Sequence, residues 1–298
     1  QTGHWEGELR HRTKDGREVV VSARHQLIRG VDGIERVLET NRDITEHKLA
    51  EEEKQALYDA QRRIATTLQE NLVHPLPEVP GLELASVSQP ASQPELVGGD
   101  FYDVFRVADD RVVVLIGDVM GKGVKAAGLT ETIRSAVRAL ALVSGSPAKI
   151  LRHVNRLLLA EEHERFASAL LLVLDPKTGR GTLASAGHPP PILVANSAAQ
   201  LLEPPYGPLL GALDSLYQAR EFELKLGEAL VLYTDGLTEA RRDGELFGEE
   251  RLLDALHVAP DLAPQALVGS LRDTVLGYAG TLQDDLEILA LQRSQESS

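Results

Sequence analysis

The chain has no cysteine among its 298 residues. Thiol catalysis, zinc sites built on thiolates and disulfide bonds are therefore excluded. The absence of cysteine is compatible with a reducing compartment, and we expect a cytoplasmic protein. No apolar run approaches the roughly 20 residues that a membrane-spanning helix needs, so we predict no membrane insertion.

Basic residues are also in short supply. Lys and Arg total 31 against 45 Asp and Glu, which gives a net charge of −14. Nucleic-acid-binding proteins usually carry a basic stripe, and because no long basic run occurs here we predict no nucleic-acid partner. The chain starts with Gln1 rather than Met, and its first residues do not form a signal peptide. We therefore expect it to begin inside a domain.

Residues 1–43 contain two Asp-Gly pairs, Asp15-Gly16 and Asp32-Gly33, between segments that alternate polar and apolar residues. This arrangement predicts two hairpin turns, and hence a β-meander of about three strands. A sheet of that size cannot bury a stable core alone.

A helix is predicted over residues 45–73, because Asp43 and Glu46 have the spacing of a capping box and Pro75 follows the segment. Its apolar residues form one stripe: Leu57, Ala60, Ile64, Leu68 and Leu72. The stripe is compatible with a two-stranded coiled coil and equally with an amphipathic helix that packs on its own domain.

From Gly81 onward the pattern predicts many strands and few helices. Strands are predicted at residues 82–87, 104–107, 112–116, 167–174, 181–186, 191–195, 219–224, 229–234 and 286–291. Helices are predicted at residues 124–142, 147–160, 249–256 and 264–278. Most strands are joined by turns rather than by helices, which indicates an α+β sandwich and not a doubly wound sheet.

Acidic residues lie where four apolar runs begin or end: Asp100, Asp118, Asp235 and the pair Asp284-Asp285. Any one of them alone is most simply a turn residue. Together they indicate a shared site, because clustered carboxylates repel one another unless cations lie between them. Ligands that are all oxygen point to Mg²⁺ or Mn²⁺ rather than zinc.

The glycine-rich turn after Asp118 has two other interpretations. Gly121-Lys122-Gly123 opens a predicted helix, as in a loose dinucleotide-binding fingerprint, but the later chain is not a βαβ series. A P-loop is excluded, because Ile116 stands where its first Gly is required and Gly123 where Ser or Thr is required.

Seven motifs follow one another along residues 68–291. They are Leu68-Gln69-x-x-Leu72, Pro90-Ala91, Val97-Gly98-Gly99-Asp100-Phe101-Tyr102-Asp103, Gly117-Asp118-Val119-Met120-Gly121-Lys122-Gly123, Ala186-Gly187-His188-Pro189-Pro190, Leu210-Gly211 and Tyr233-Thr234-Asp235-Gly236-Leu237-Thr238-Glu239. In this order they resemble the SpoIIE-like branch of the PPM (protein phosphatase 2C) superfamily.

The first residues resemble the C-terminal part of a PAS sensor domain, through Trp5-x-Gly7-Glu8, Lys14-Asp15-Gly16 and Arg42-Asp43-Ile44-Thr45-Glu46. The expected organisation is an incomplete PAS domain at residues 1–46, a helical or coiled-coil linker at 47–76, a PPM-type domain at 77–292 and a polar tail at 293–298. The ligand-contacting half of the PAS domain is not included, so no ligand is inferred.

The PPM resemblance implies an αββα sandwich of two antiparallel sheets flanked by helices. It also implies two divalent cations, Mn²⁺ or Mg²⁺, between the sheets. In the family pattern Asp118 bridges both cations and the Val119 carbonyl is an adjoining ligand. Asp100 serves one cation, and Asp235 and Asp284 serve the other. These four aspartates are the expected catalytic residues.

The implied function is that of a metal-dependent serine/threonine phosphoprotein phosphatase, in which a metal-bridging hydroxide attacks phosphorus. The expected substrate is a phosphorylated regulatory protein of the anti-sigma-factor antagonist type. An N-terminal sensor is expected to control activity through a homodimer of the linker helix, with the helices at 124–142 and 147–160 switching the metal site. The alternative is a pseudophosphatase, a sensor-linked interaction module that binds its partner without hydrolysis.

Some positions depart from the family pattern. Glu287 replaces the Thr of a terminal Asp-Asp-x-Thr motif, which changes the hydrogen bonding expected around the metals. Met120 stands where eukaryotic relatives have a histidine, so neither a general acid nor a phosphate-binding Arg is assigned. His188 is interpreted as a turn histidine that bonds local backbone. Asp284 and Asp285 differ by one residue of register, and the choice between them stays open.

Overall fold

The computed structural model describes residues 3–72, 75–91, 98–160, 165–195, 198–259 and 261–295, with the backbone alone for residues 59–72. Val73, His74 and Val97, which the sequence assigns to the linker helix and to a motif, lie outside the described residues. The chain divides into two compact units, Gln1–Ile64 and Ala65–Ser298.

The first unit begins with a three-stranded antiparallel sheet. Its strands are β1 (His4–Arg12), β2 (Glu18–Arg29) and β3 (Glu35–Asp43), in the order β1-β2-β3. Gly16 and Gly33 have positive φ angles of 88° and 72°, so each Asp-Gly pair makes the predicted hairpin turn.

The helix α1 (Thr45–Leu72) begins at the predicted cap. Asp43 Oδ1 accepts hydrogen bonds from the Thr45 backbone N–H at 2.9 Å and from the Thr45 hydroxyl at 2.6 Å. Leu49 and Leu57 are exposed by 59% and 62%. The side chains that complete the apolar stripe lie outside the described residues, so the coiled coil remains a prediction.

The second unit contains, within the described residues, ten strands in two sheets, one small hairpin and five helices. In chain order the elements are β4 (Leu82–Gln89), β5 (Asp100–Ala108), β6 (Arg111–Val119), α2 (Val124–Ala141), α3 (Pro147–Ala160), β7 (Ala167–Leu174), β8 (Arg180–Ala186), β9 (Ile192–Ala195), β10 (Ala198–Leu201), β11 (Arg220–Glu223), β12 (Ala229–Tyr233), α4 (Asp235–Thr238), β13 (Arg241–Arg242), β14 (Glu245–Leu246), α5 (Gly248–His257), α6 (Pro264–Ala279) and β15 (Leu286–Arg293).

Two five-stranded antiparallel sheets pack face to face. The β12 sheet has the order β10-β9-β12-β15-β4, and the β6 sheet has the order β11-β8-β7-β6-β5. The outer face of the β6 sheet packs against α2 and α3, and that of the β12 sheet packs against α5 and α6. A third apolar cluster lies between the sheets. The predicted αββα sandwich is therefore confirmed.

Strand β6 shows why the core strands have unbroken apolar runs. Val113 and Leu115 pack beneath α2 and α3, whereas Val114 and Ile116 pack between the sheets. Successive side chains of a strand point to opposite faces, so both faces of β6 are buried. Each fully buried aliphatic side chain of this kind contributes roughly 1.5–3 kcal/mol.

Some elements differ from the sequence prediction. The short strands β10, β13 and β14 and the one-turn helix α4 were not predicted. The two-residue strands β13 and β14 and the single turn of α4 are too short to show a periodic apolar pattern. Strand β5 begins at Asp100, and β15 includes Arg293, which the sequence assigns to the polar tail. Among the described residues, no helix combines the length and apolar character needed to cross a membrane.

Candidate metal centre

Two aspartates face each other across neighbouring strands. Asp100 begins β5, Asp118 is the penultimate residue of β6, and the antiparallel register pairs them directly. Each lies two residues from a side chain of the inter-sheet cluster, Tyr102 on β5 and Ile116 on β6. Because strand side chains alternate between faces, both carboxyl groups point into the space between the sheets.

Asp235 reaches the same space from the facing sheet. It follows Thr234 at the end of β12 and begins α4. One carboxylate oxygen from each of Asp100, Asp118 and Asp235 lies within 4.8 Å of the other two, and all three side chains are half-buried. The structure thus brings together three of the four predicted acids.

Burial and mutual repulsion raise the pKa of all three carboxyl groups. The pKa of Asp118 is raised to about 6, first by burial and then by the charge of Asp235. The pKa of Asp100 is raised well above its usual range by burial and then by Asp118. The pKa of Asp235 is raised by burial and then by Glu239. A divalent cation among these groups would relieve the repulsion.

Thr234 connects the acids of the two sheets. It is fully buried, its hydroxyl donates a hydrogen bond to Asp100 Oδ2 at 2.7 Å, and its oxygen accepts the Glu287 backbone N–H at 3.0 Å. The orientation of Asp100 is therefore held by a residue of the facing sheet. The sequence placed Thr234 at a strand end and within the motif around Asp235, but no role at the site was predicted for it.

Gly99 leaves room for two oxygen atoms. A Cβ at this position would clash with the Val119 carbonyl oxygen and with Asp118 Oδ1. The predicted carbonyl ligand therefore lies beside the Asp118 carboxylate. A side chain at residue 99 would displace one strand from the other at the acidic end of the sheet.

Asp284 and Asp285 have different surroundings at the start of β15. Asp284 Oδ1 pairs with Lys122 Nζ at 2.8 Å, and the Asp284 side chain is 59% exposed. Asp285 Oδ1 accepts the Ala91 backbone N–H at 2.8 Å, and its Oδ2 is buried with no hydrogen-bond partner among the described residues.

Neither acid belongs to the three-acid cluster formed within the described part of the chain. The charge of Asp284 raises the pKa of Asp118 more than the charge of Asp285 does, although burial and Asp235 act more strongly than either. The charge of Asp285 in turn raises the pKa of Asp100, so these charges do not separate the two acids, and Asp284 as the fourth ligand remains a prediction.

Glu287 lies on the inner face of β15. Its side chain is 8% exposed, and its Oε1 accepts a hydrogen bond from the Ser88 hydroxyl. Its Oε2 is buried and has no partner in the described residues. Burial, with a smaller contribution from Asp285, raises the pKa of Glu287 to about 8. The acid that replaces the family's Thr is therefore mostly uncharged at neutral pH.

His188 bridges the two sheets. Its Nδ1 lies 2.8 Å from the Ser168 hydroxyl and its Nε2 lies 3.1 Å from the Tyr233 carbonyl. Burial lowers the pKa of His188 to about 3, so the ring is neutral. Because a carbonyl only accepts, Nε2 donates to Tyr233 and Nδ1 accepts from Ser168.

The predicted local role of His188 is incomplete. Its backbone N–H and carbonyl do bond the nearby Ser185 hydroxyl, each at 3.0 Å. However, Ser168 is the register partner of Asp118, and Tyr233 lies two residues before Asp235. The ring therefore joins the strand next to Asp118 to the strand that leads to Asp235.

Asp103 has a different role from Asp100, although both lie in one motif. Asp103 is fully buried on the helix side of β5, where its two oxygens accept hydrogen bonds from Arg138 at 2.7 Å each. Arg134, also on α2, lies 3.9 Å away. These ion pairs attach α2 to β5. Asp100 and Asp103 are three positions apart on one strand, so their side chains point to opposite faces of the sheet. This spacing is the sequence signal that separates the two roles.

The donor atoms fit a divalent cation. Three carboxylates and a backbone carbonyl are hard oxygen ligands of the kind that Mg²⁺ and Mn²⁺ take. Two independent observations concern the same site: the lack of a side chain at Gly99 leaves room for the Val119 carbonyl oxygen and the Asp118 carboxylate, and the pKa of Asp118 is raised. The residues present therefore fit the cofactor that the sequence resemblance implies.

The fold is that of a PPM-type phosphatase domain. The PP2C phosphatase domain of SpoIIE from Bacillus subtilis aligns with a TM-score of 0.63 at 16% identity, covering 71% of this chain and 63% of that chain. At this identity the likeness shows the fold. The RsbU and RsbW domains of Rv1364c from Mycobacterium tuberculosis align with a TM-score of 0.66 at 29% identity, covering 75% of this chain and 63% of that chain.

The chain belongs to the family described as Stage II sporulation protein E (SpoIIE), whose profile matches residues 108–294. Protein IcfG of Synechocystis sp. is 28% identical over 251 residues, which cover 74% of this chain and 39% of IcfG. Phosphoserine phosphatase RsbU of Bacillus subtilis is 25% identical over 235 residues, which cover 77% of this chain and 69% of RsbU. The chain thus spans well under half of IcfG.

Proposed function

We propose that the chain is a metal-dependent phosphatase that removes phosphate from serine or threonine of a phosphorylated regulatory protein. The observation that carries the proposal is the convergence of carboxylate oxygens from Asp100, Asp118 and Asp235 within 4.8 Å of one another. The name of its relative RsbU, a phosphoserine phosphatase, supports this chemistry. The anti-sigma-factor antagonist class of substrate is proposed from the motif resemblance.

The residues have distinct proposed roles. Asp118, with the Val119 carbonyl, would hold two cations, Mn²⁺ or Mg²⁺; Asp100 would serve one, and Asp235 and Asp284 the other. Bound cations supply Lewis-acid activation of a water and hold the phosphate oxygens.

The chain's own contacts prepare this site. Thr234 orients Asp100, and the small size of Gly99 lets the start of β5 lie close to the end of β6. Lys122 pairs with Asp284 and would compete with a cation for that carboxylate. A water activated at these acids would be the nucleophile, so the reaction would need no protein nucleophile, which agrees with a chain that has no cysteine.

Control by the N-terminal unit is part of the proposal. Residues 1–46 are proposed as the end of a PAS domain and residues 47–76 as a linker that forms a homodimer, ahead of the phosphatase domain at 77–292. The helices α2 and α3 are proposed to switch the metal site. Two contacts of α2 and its preceding turn support this idea, because Lys122 pairs with Asp284 and Arg138 pairs with the buried Asp103.

The proposal is tested by phosphate release from a phosphoserine peptide in the presence of Mn²⁺. We expect Asp118→Asn to lower turnover by at least about 100-fold, since it removes the ligand shared by both cations. Asp110→Asn, an exposed acid in the turn between β5 and β6, is the matched control and should behave as wild type.

Two outcomes contradict parts of the proposal. A wild-type chain that binds its phosphoprotein but releases no phosphate in Mn²⁺ supports the pseudophosphatase alternative. A chain shortened to begin at Leu57 that matches the full chain in metal-dependent turnover contradicts control by the N-terminal unit.

A further inference from the structure

A concave surface adjoins the acidic site on the side of Asp235. Its volume is about 520 Å³, and its lining includes Asp235, His188 and Tyr206. Pockets of this size accommodate several side chains or a small ligand. We call it the Tyr206 groove.

Two proline-rich turns form the walls of the Tyr206 groove. Pro189-Pro190 lies between β8 and β9, and Pro204-Pro205 follows β10 and leads to Tyr206. Proline fixes the backbone φ angle, so these walls are stiff. The wall behind Tyr206 is also tied down, because the buried Tyr217 donates its hydroxyl to the Pro208 carbonyl at 3.1 Å.

Tyr206 is 88% exposed, and its ring is not used by the core. A large aromatic side chain held on a stiff turn at the edge of a concave surface is a typical anchor for a bound polypeptide, because it offers contact area at little cost in conformational entropy. Tyr206 lines the same groove as Asp235, a candidate catalytic acid, which links this anchor to the reaction.

The charged residues that line the groove are all acidic. They are Glu203, Asp235 and Glu249, and no Lys or Arg is among the described lining residues. Arg220 donates to the Glu203 backbone carbonyl at 2.7 Å but does not line the groove. The groove therefore favours a positively charged occupant.

We propose that the Tyr206 groove binds the polypeptide segment next to the phosphorylated residue of the substrate, and that it selects a segment with Lys or Arg. The inference rests on the proposed phosphatase function. A phosphoserine at the acidic cluster places its neighbouring residues beside Asp235, where the groove begins. A basic side chain there meets Glu203 and Glu249 and can lie against the Tyr206 ring through a cation–π contact.

The test uses three phosphoserine peptides that differ only in the residues flanking the phosphoserine, which are Lys, Gln or Glu. For the 298-residue chain with Mn²⁺, kcat/KM should fall in that order. Tyr206→Ala and Glu249→Gln should each lower kcat/KM for the Lys peptide about tenfold relative to kcat/KM for p-nitrophenyl phosphate, which has no peptide to bind.

Two further variants sharpen the test. Tyr206→Phe keeps the ring and should retain the preference for the Lys peptide. Glu221→Gln removes an exposed acid on β11, outside the groove, and should leave the ratio of the two substrates at its wild-type value. Equal kcat/KM for the three peptides, a preference for the Glu peptide, or an equal loss with Glu221→Gln overturns the inference.

Peptide binding separates this inference from the proposed function. Fluorescence polarisation of labelled phosphopeptides on the chain with Mn²⁺ needs no turnover. If no substrate is hydrolysed, the phosphatase proposal fails, and the groove is judged by binding alone. Tighter binding of the Lys peptide that Tyr206→Ala removes supports the groove, and binding that ignores the flanking charge overturns it.

Discussion

The substitution Glu287→Gln removes a titrating group from the space between the sheets while nearly keeping the size of the side chain. The amide oxygen can still accept the hydrogen bond from the Ser88 hydroxyl. Because Glu287 is only 8% exposed, ionisation of its carboxyl group places a charge that water solvates poorly. We predict that the variant gains stability relative to wild type as the pH of a metal-free buffer rises.

The sign follows from proton binding. The ordinary pKa of a glutamate is 4.5, and burial raises that of Glu287 to about 8. Below the lower value both the folded and the unfolded chain hold the proton. Between the two values the folded protein keeps a proton that the unfolded chain has released, so wild-type stability falls as the pH rises. The whole loss of wild-type stability is present once the pH exceeds the pKa of Glu287 in the folded protein.

The magnitude follows from the same window. Each pH unit between the two pKa values costs the wild type about 1.4 kcal/mol of unfolding free energy. Between about pH 5 and about pH 7 the wild type should therefore lose roughly 3 kcal/mol that Glu287→Gln does not lose.

The assay is urea unfolding of the metal-free protein at both pH values. Circular dichroism is the appropriate signal, because the single tryptophan, Trp5, belongs to the first unit and Glu287 to the second. Glu83→Gln, an exposed position on the adjacent strand β4, is the matched control. A stability difference between Glu287→Gln and wild type that is the same at both pH values refutes the reasoning.

Two other substitutions test the contacts around the site. His188→Ala leaves the Ser168 hydroxyl and the Tyr233 carbonyl without their partner and should destabilise the protein by about 2–4 kcal/mol in urea. The exposed His153→Ala is its control, and equal stability contradicts the bridge. Lys122→Met removes the cation beside Asp284 and should tighten Mn²⁺ binding by up to about fivefold. Unchanged or weaker Mn²⁺ binding in calorimetry means that Lys122 does not compete with the metal.

The sandwich was predictable because its core strands appear in the sequence as unbroken apolar runs. An unbroken run such as that of β6 occurs where both faces of a strand are buried, and the turns between such runs exclude a series of parallel crossovers. Asp100 and Asp118 lie together because the start of β5 pairs with the end of the antiparallel strand β6. Asp235 comes from the facing sheet, so its place beside them was expected from the family resemblance and not from strand pairing.

The contacts that hold the site were not predictable, because they join residues far apart in the chain. His188 and Tyr233 are separated by 45 positions, and no local pattern pairs them. The charge state of Glu287 likewise depends on burial between the sheets, which its sequence neighbours do not reveal. Asp103 shows the opposite case, since strand alternation alone assigns it to the helix side.

Equilibrium binding of Mn²⁺ to the metal-depleted chain tests the central claim most directly, because it asks whether the three acids form a metal site at all. We predict that the wild type and Asp110→Asn bind Mn²⁺ alike and that Asp118→Asn binds it at least about tenfold more weakly. Asp118→Asn binding Mn²⁺ with wild-type affinity would contradict the assignment of Asp118 as the central ligand, and with it the proposed chemistry.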